Sequence, residues 1–266
     1  MKCALIAAAL ALALVAGAST GANAGGSRPV VVELYTSQGC SSCPPADALL
    51  GKLAKQGSGA GVIPISLPIT YWDMLGWKDS LASEANTQRQ KAYAAAMGHG
   101  GVYTPQIIVD GAIDVVGSRE DKVAAAIERA RQASDAQDGK RDAAREITVD
   151  INLSLMPKKL HIVIAAAPPF PKKPKLNATI WLFHLRSSAT VHIAAGENNG
   201  RTMTYSNVVT GPVEDIGKWY GHAVTADIPQ SNTPAHDGVV VLVQQGGYGR
   251  VLGAAYLART DYYASR

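Results

Sequence analysis

The chain has 266 residues, 17% of them charged, a formal net charge of +4 and three cysteines. That length buries a full core without disulfide staples, and so few cysteines exclude a multi-disulfide scaffold. The basic residues are scattered and their excess is modest, which argues for solubility and against a nucleic-acid binder.

The N-terminus has the features of a secretory signal peptide over residues 1–24. Met1-Lys2 supplies a positive charge, an apolar run covers residues 4–16, and Ala22-Asn23-Ala24 is a small-x-small cleavage site. The apolar run is too short to span a bilayer comfortably, so no membrane span is expected after cleavage. Cys3 leaves with the signal, and the mature chain keeps Cys40 and Cys43. A periplasmic or secreted location is expected. A lone Cys-x-x-Cys pair in an exported protein is more easily read as chemistry than as stability, because closing so small a loop removes little unfolded-state entropy.

Val30–Thr36 is an apolar strand. Cys40-Ser41-Ser42-Cys43 follows it, then a helix-like stretch over residues 45–53. Two sulfurs are thereby placed where a strand gives way to a helix. Cysteines three apart on a first turn share a face and can close a disulfide. The helix start favours a thiolate. Pro44-Pro45 tempers this: proline suits the first helical position and is harder to place beyond it, so the helix is expected to begin at Cys43 rather than Cys40. Thiol–disulfide exchange needs an exposed, low-pKa thiolate and a second sulfur to release the mixed disulfide. Cys40 is the natural attacker and Cys43 the resolver. A passive disulfide is the alternative.

Further along, residues 57–61 form a flexible break, and Val62–Leu67 reads as a second strand weakened by Pro64. Tyr71, Trp72 and Trp77 form an aromatic cluster that either lines a peptide groove or packs in the core. Asp73 reads as a turn or cap residue. A helix is expected over Ser83–Met97, stopped by Gly98-His99-Gly100-Gly101. Thr104-Pro105 leads into the strand Gln106–Val109, Asp110-Gly111 is a hairpin signal, and the chain returns through Ile113–Val116. A last helix covers roughly Arg119–Gln132. The order is βαβαββα over residues 28–133, that of an α/β thioredoxin-like domain, whose topology places an X-Pro bond, usually cis, opposite the two sulfurs. Thr104-Pro105 falls at that point and would shape the floor of a peptide site with Trp72. Glu33 lies on the first strand, where thioredoxin-like enzymes often carry a buried carboxylate that takes a proton from the resolving thiol. The alternative is an exposed or edge-strand glutamate.

Residues 134–145 are polar and unpatterned, which marks a linker. Beyond them the period switches to two. Residues 147–155 alternate cleanly, and further strands are suggested at 160–166, 179–185, 190–194, 239–244 and 251–257. Many short strands point to an all-β, sandwich-like domain over 146–266. Residues 168–175 form a stiff, basic loop, and Gly246-Gly247-Tyr248-Gly249 is a hairpin turn.

The run from Glu33 through Asp47, with Tyr71-Trp72-Asp73, Gly76–Asp79, Val102–Gln106, Gly196-Glu197-Asn198 and Asn207-Val208-Val209, resembles the bacterial secreted family known as domain of unknown function 1223. The resemblance covers nearly the whole mature chain. It implies an exported thioredoxin-like domain plus a β-rich domain, with no established reaction. This chain has Pro68-Ile69-Thr70 where the family tends to carry a polar His-Val-Asp stretch.

The function expected is thiol–disulfide exchange on exported thiol-containing proteins, or with a redox partner protein, through Cys40 and Cys43, with Glu33 relaying a proton and Thr104, Pro105 and Trp72 contacting substrate. No cofactor is expected. A thioredoxin-like Cu(I) chaperone using Cys40, Cys43 and His99 is one alternative, since two thiolates and an imidazole suit Cu(I). A mobile loop histidine is the simpler account of His99. A non-enzymatic adaptor with a structural disulfide is another alternative.

Overall fold

A computed structural model of the chain describes residues 28–57, 61–135, 147–169, 175–229 and 236–258. The signal peptide expected over 1–24 lies outside these residues, as do residues 136–145 of the expected linker and 170–174 of the basic loop.

The first half contains β1 (Val30–Thr36), α1 (Pro44–Lys55), β2 (Val62–Pro68), α2 (Glu84–Met97), β3 (Gln106–Val109), β4 (Ile113–Val116) and α3 (Glu120–Asp135). β1 is parallel to β2 and antiparallel to β3, which is antiparallel to β4, so their order across the sheet is β2-β1-β3-β4. β1 is buried along its whole length, and its alternating side chains serve two different layers. Val30, Val32 and Leu34 pack with Leu49 and Leu50 of α1 and with Val123, Ala126 and Ile127 of α3. Val31 and Tyr35 face the other way, toward Tyr93 of α2.

Local signals explain the element ends. The hydroxyl of Ser83 accepts the Asn86 N–H at 3.2 Å and caps α2, and Gly98 closes that helix in the left-handed region at φ 72°. Asp110 and Gly111 turn the β3–β4 hairpin with φ 51° and 68°. Pro64 sits inside β2 at no cost to the ladder with β1. Its carbonyl accepts from Asn207 Nδ2 at 2.9 Å on the side away from β1, where strand pairing is limited to Ser66 with Val208.

The second half contributes β5 (Ile151–Met156), β6 (Lys159–Ile164), β7 (Ala178–His192), β8 (Thr202–Val209), β9 (Glu214–Trp219), β10 (Val224–Pro229), β11 (Gly238–Gln245) and β12 (Val251–Ala258), with no helix among its described residues. Two stretches read separately in the sequence, 179–185 and 190–194, belong largely to one 15-residue strand, β7. β7 serves different neighbours at its two ends: Ala178–Leu185 pairs with β11, and Leu185–His192 with β8.

β8 lies against β2, so the main sheet runs β12-β11-β7-β8-β2-β1-β3-β4, with β9 on β7. It is a mixed sheet with strands from both halves. The core is shared in the same way: Ile63, Ile65 and Leu67 pack with Phe183, Leu185, Val240 and Leu242. A smaller sheet, β10-β6-β5, covers the second half through Leu160, Ile162 and Ile164 against Ile180, Leu182, Val241 and Val243.

Candidate active site at the Cys40–Cys43 disulfide

Cys40 and Cys43 form a disulfide, with Cα atoms 5.4 Å apart, in the turn between β1 and α1. The turn is held from within by Cys40 N–H to the Ser37 carbonyl at 3.2 Å, Cys43 N–H to the Cys40 carbonyl at 3.1 Å, and Gly39 N–H to Ser37 Oγ at 3.1 Å. Pro44 and Pro45 open α1, and Cys43 stands at its N-cap without a side-chain cap bond. Cys40 therefore lies before the helix, as the proline pair implies.

The expectation of an exposed sulfur at Cys40 is corrected: both cysteines are 0% exposed. The turn between β7 and β8 covers the backbone of this segment. Asn198 Nδ2 donates to the carbonyls of Gln38 and Cys40, at 2.9 Å each, and Glu197 Oε2 accepts the Ser41 N–H at 2.9 Å. The Ser41 hydroxyl first, and then this N–H bond, hold the exposed Glu197 carboxyl below its ordinary range. Gln38 is fixed further by its N–H to Asp79 Oδ2 at 2.8 Å and by Trp77 Nε1 to its Oε1 at 2.8 Å. A side chain at Gly196 would come within 3.1 Å of Trp77 Cβ, so the covering turn also rests on the aromatic segment.

Trp72 joins the disulfide turn to the Thr104–Pro105 peptide, which is cis. Its indole Nε1 donates to Thr104 Oγ1 at 2.8 Å, and its Cβ lies 3.4 Å from where a side chain on Gly39 would begin. The Pro105 carbonyl accepts the Gly117 N–H at 2.8 Å, and Gly117 sits against Ala46 of α1. Cys40, Cys43, Trp72, Thr104 and Pro105 are thus built into one region. Asp73 accepts the Asp79 N–H at 3.1 Å, a turn role. Met74 and Leu75, beside the covering turn, are exposed at 83% and 54%.

Glu33 is not brought to the sulfurs, which corrects the proton-relay expectation. It shares the face of β1 occupied by Val31 and Tyr35, away from α1. Its carboxylate receives Arg89 Nε at 2.7 Å, Arg89 Nη2 at 3.1 Å, Tyr93 Oη at 2.6 Å and Tyr35 Oη at 3.3 Å. Arg89 also reaches Gln244 Oε1 of β11 at 3.1 Å. The buried network ties α2, β1 and β11 together. Burial, with the Glu33 charge beside them, pushes both tyrosine hydroxyls well above their ordinary value.

His99 is likewise placed elsewhere: its Nδ1 lies 3.4 Å from Asp114 Oδ2. Among the described residues, no three His, Cys, Asp or Glu side chains are grouped to hold a metal ion. The Cu(I) arrangement of Cys40, Cys43 and His99 is therefore not formed.

The sequence reading missed Asp47, Asp79, Tyr205 and the covering pair Glu197–Asn198. Asp47 is four positions after Cys43, 4% exposed, and neither carboxylate oxygen has a hydrogen-bond partner. Burial pushes its carboxyl up to about 8, with the facing Thr36 hydroxyl opposing and the Asp79 charge adding to the rise. An acidic residue at i+4 from the second cysteine, on a helix with an apolar face, was the available signal.

The chain belongs to the family described as "Protein of unknown function (DUF1223)", which matches residues 31–244. It is similar to protein AGR_C_4864 from Agrobacterium tumefaciens, known from an X-ray crystal structure. The identity is 30%, 89% of this chain and 96% of that one are covered, and the TM-score is 0.72. It is also similar to HBP35 of Porphyromonas gingivalis at 12% identity, covering 87% and 75% of the two chains with a TM-score of 0.52. That second likeness is one of fold alone. No curated protein matches the sequence.

Proposed function

We propose that this chain is an exported thioredoxin-like protein that exchanges thiols and disulfides through Cys40 and Cys43, with an all-β, sandwich-like second half. The observation that carries this reading is the Cys-x-x-Cys disulfide at the β1–α1 junction of a β2-β1-β3-β4 sheet, with α1 and α3 on one face and α2 on the other. A substrate thiolate attacks Cys40, the sulfur outside the helix, and Cys43 leaves. In the reverse direction Cys43 attacks the mixed disulfide and frees the substrate. Trp72, Thr104 and Pro105 form the wall against which a bound peptide would lie. The leader over residues 1–24 takes the protein to the periplasm or beyond, where an oxidising medium supports a disulfide. Its partners there are exported thiol-containing proteins or a redox partner protein.

Burial of both cysteines, with Asn198 bonded to the Cys40 carbonyl, favours a second reading, an adaptor whose disulfide is structural. The equilibrium reduction potential of the pair separates the two. A value between about −120 and −270 mV is that of exchange proteins, whereas one below about −300 mV marks a structural disulfide and overturns the exchange reading.

A further inference from the structure

A buried carboxyl without a hydrogen-bond partner is costly, and such groups in native proteins call for an explanation. Asp47 is one, and its place in the chain supplies the explanation. Cys43 has helical dihedrals, φ −79° and ψ −33°, and the Asp47 N–H donates to the Cys43 carbonyl at 3.1 Å. The two residues stand one turn apart on the same helix face. Both side chains are buried. Thr36, at the end of β1, has its hydroxyl buried and without a partner of its own, and it faces the carboxyl. Besides Cys43 one turn away, the titratable groups that act on Asp47 are Asp79 from the segment before α2 and Tyr205 from β8, whose hydroxyl both carboxylates push upward in addition to its burial. Burial raises the Asp79 carboxyl too, but the Gln38 and Leu81 N–H groups that it accepts at 2.8 Å each oppose that rise. Asp47 has no backbone donor and only the Thr36 hydroxyl opposes its rise, so of the two carboxyls it is the one held higher.

We propose that Asp47 is the proton donor and acceptor for Cys43 when the Cys40–Cys43 disulfide opens and closes. On opening, a substrate thiolate forms a bond to Cys40 Sγ and the Cys40–Cys43 bond breaks. Its electron pair stays on Cys43 Sγ. The Asp47 carboxyl proton passes to that sulfur, directly or through one water, leaving Cys43 as a thiol and Asp47 as a carboxylate. On closing, the carboxylate takes the proton back as Cys43 attacks the mixed disulfide and the substrate thiolate leaves. Burial that holds Asp47 protonated up to about pH 8 keeps the donor loaded in the oxidised protein at neutral pH. The inference rests on the reading that this disulfide opens in use.

The test follows reduction of the oxidised full chain by dithiothreitol from pH 6 to 9.5, with each rate divided by the concentration of dithiothreitol thiolate. In the native chain the corrected rate should fall at least about tenfold as pH rises through about 8, and Asp47→Asn should be slow and flat. The same comparison in an Asn198→Ala background keeps opening of the covering turn from setting the rate. Superimposed native and Asp47→Asn profiles in both backgrounds would overturn the proposal. Should Asp47→Asn fail to fold, Thr36→Val decides. It removes the hydroxyl that opposes the rise, so the inflection must move to higher pH, and an unmoved inflection overturns the proposal. A potential below about −300 mV with an Asp47-dependent profile would sink the exchange function and leave this inference standing; a potential in the exchange range with superimposed profiles would do the reverse.

Discussion

Asn198 donates its side-chain amide to the carbonyl of Cys40 at 2.9 Å, joining two residues 158 positions apart. The same nitrogen donates to the Gln38 carbonyl, so one buried amide fixes the disulfide turn from outside. The turn between β7 and β8 thereby holds the segment that carries the two buried cysteines.

Removing that amide should open the site. Asn198→Ala loses two hydrogen bonds, each worth about 1 kcal/mol net, and leaves the fold intact. Reduction by dithiothreitol at pH 7, followed by thiol labelling, should speed up by roughly thirtyfold, the population change that about 2 kcal/mol produces. An unchanged rate would show that the sulfurs are reached by a path the Asn198 turn does not control.

Asp47 predicts an unusual pH dependence of stability. Its folded-state carboxyl is pushed up to about 8, while in the unfolded chain it titrates near the ordinary value of about 4. Below pH 4 both states hold the proton. Between about 4 and 8 only the folded state does, so the Asp47 contribution is full at low pH and is lost as pH rises. Asp47→Asn, neutral throughout, should be more stable than the native chain by roughly 1–4 kcal/mol at pH 7, and by much less at pH 4. Urea unfolding at the two pH values checks this, and an equal difference at both would show that Asp47 ionises normally.

Glu33 should matter for stability and not for sulfur chemistry. Glu33→Gln leaves the buried Arg89 without its charge partner, which costs about 3–5 kcal/mol. The reduction potential of the Cys40–Cys43 pair should stay within about 15 mV, half the 30 mV that corresponds to 1.4 kcal/mol in a two-electron couple. A larger change in potential would restore Glu33 to the sulfur chemistry.

The β3–β4 turn offers a test of how the halves meet. A Cβ on Gly111 would lie 2.2 Å from the Gly249 carbonyl oxygen and 2.7 Å from Gln244 Nε2, and φ there is 68°. Gly111→Ala should therefore cost more than about 3 kcal/mol, well beyond the 1 kcal/mol or so expected for an alanine in a free left-handed turn. Chemical denaturation measures it, and a cost near 1 kcal/mol would mean that the two turns separate freely.

Some of this was legible in the sequence because it is local. The run of apolar residues in β1, the two cysteines after it, the Ser83 and Gly98 helix ends and the Asp110-Gly111 hairpin each depend on residues a few positions apart. Even the covering turn lay within a stretch, Gly196-Glu197-Asn198, that the family resemblance singled out. Other elements gave weaker local signals. β8 is rich in Thr, Ser and Asn, and β9 is half-exposed with Gly217 in it, so alternation alone does not mark them, whereas β10 does alternate, with Val224, Ala226 and Ile228 toward the core, over only six residues ending in Pro229.

By itself the sequence determined that a Cys-x-x-Cys pair sits where a strand meets a helix, because strand and helix periods are properties of neighbouring residues. Only the tertiary structure decided what surrounds that pair. It placed Glu33 against Arg89, 56 positions away, and buried Asp47 beneath β8 without a partner. It also brought Asn198 to the Cys40 carbonyl. Periodicity says which side of an element is buried. The charge, proton or cover that a buried group meets is set by distant chain segments, and only the packed fold brings those into contact.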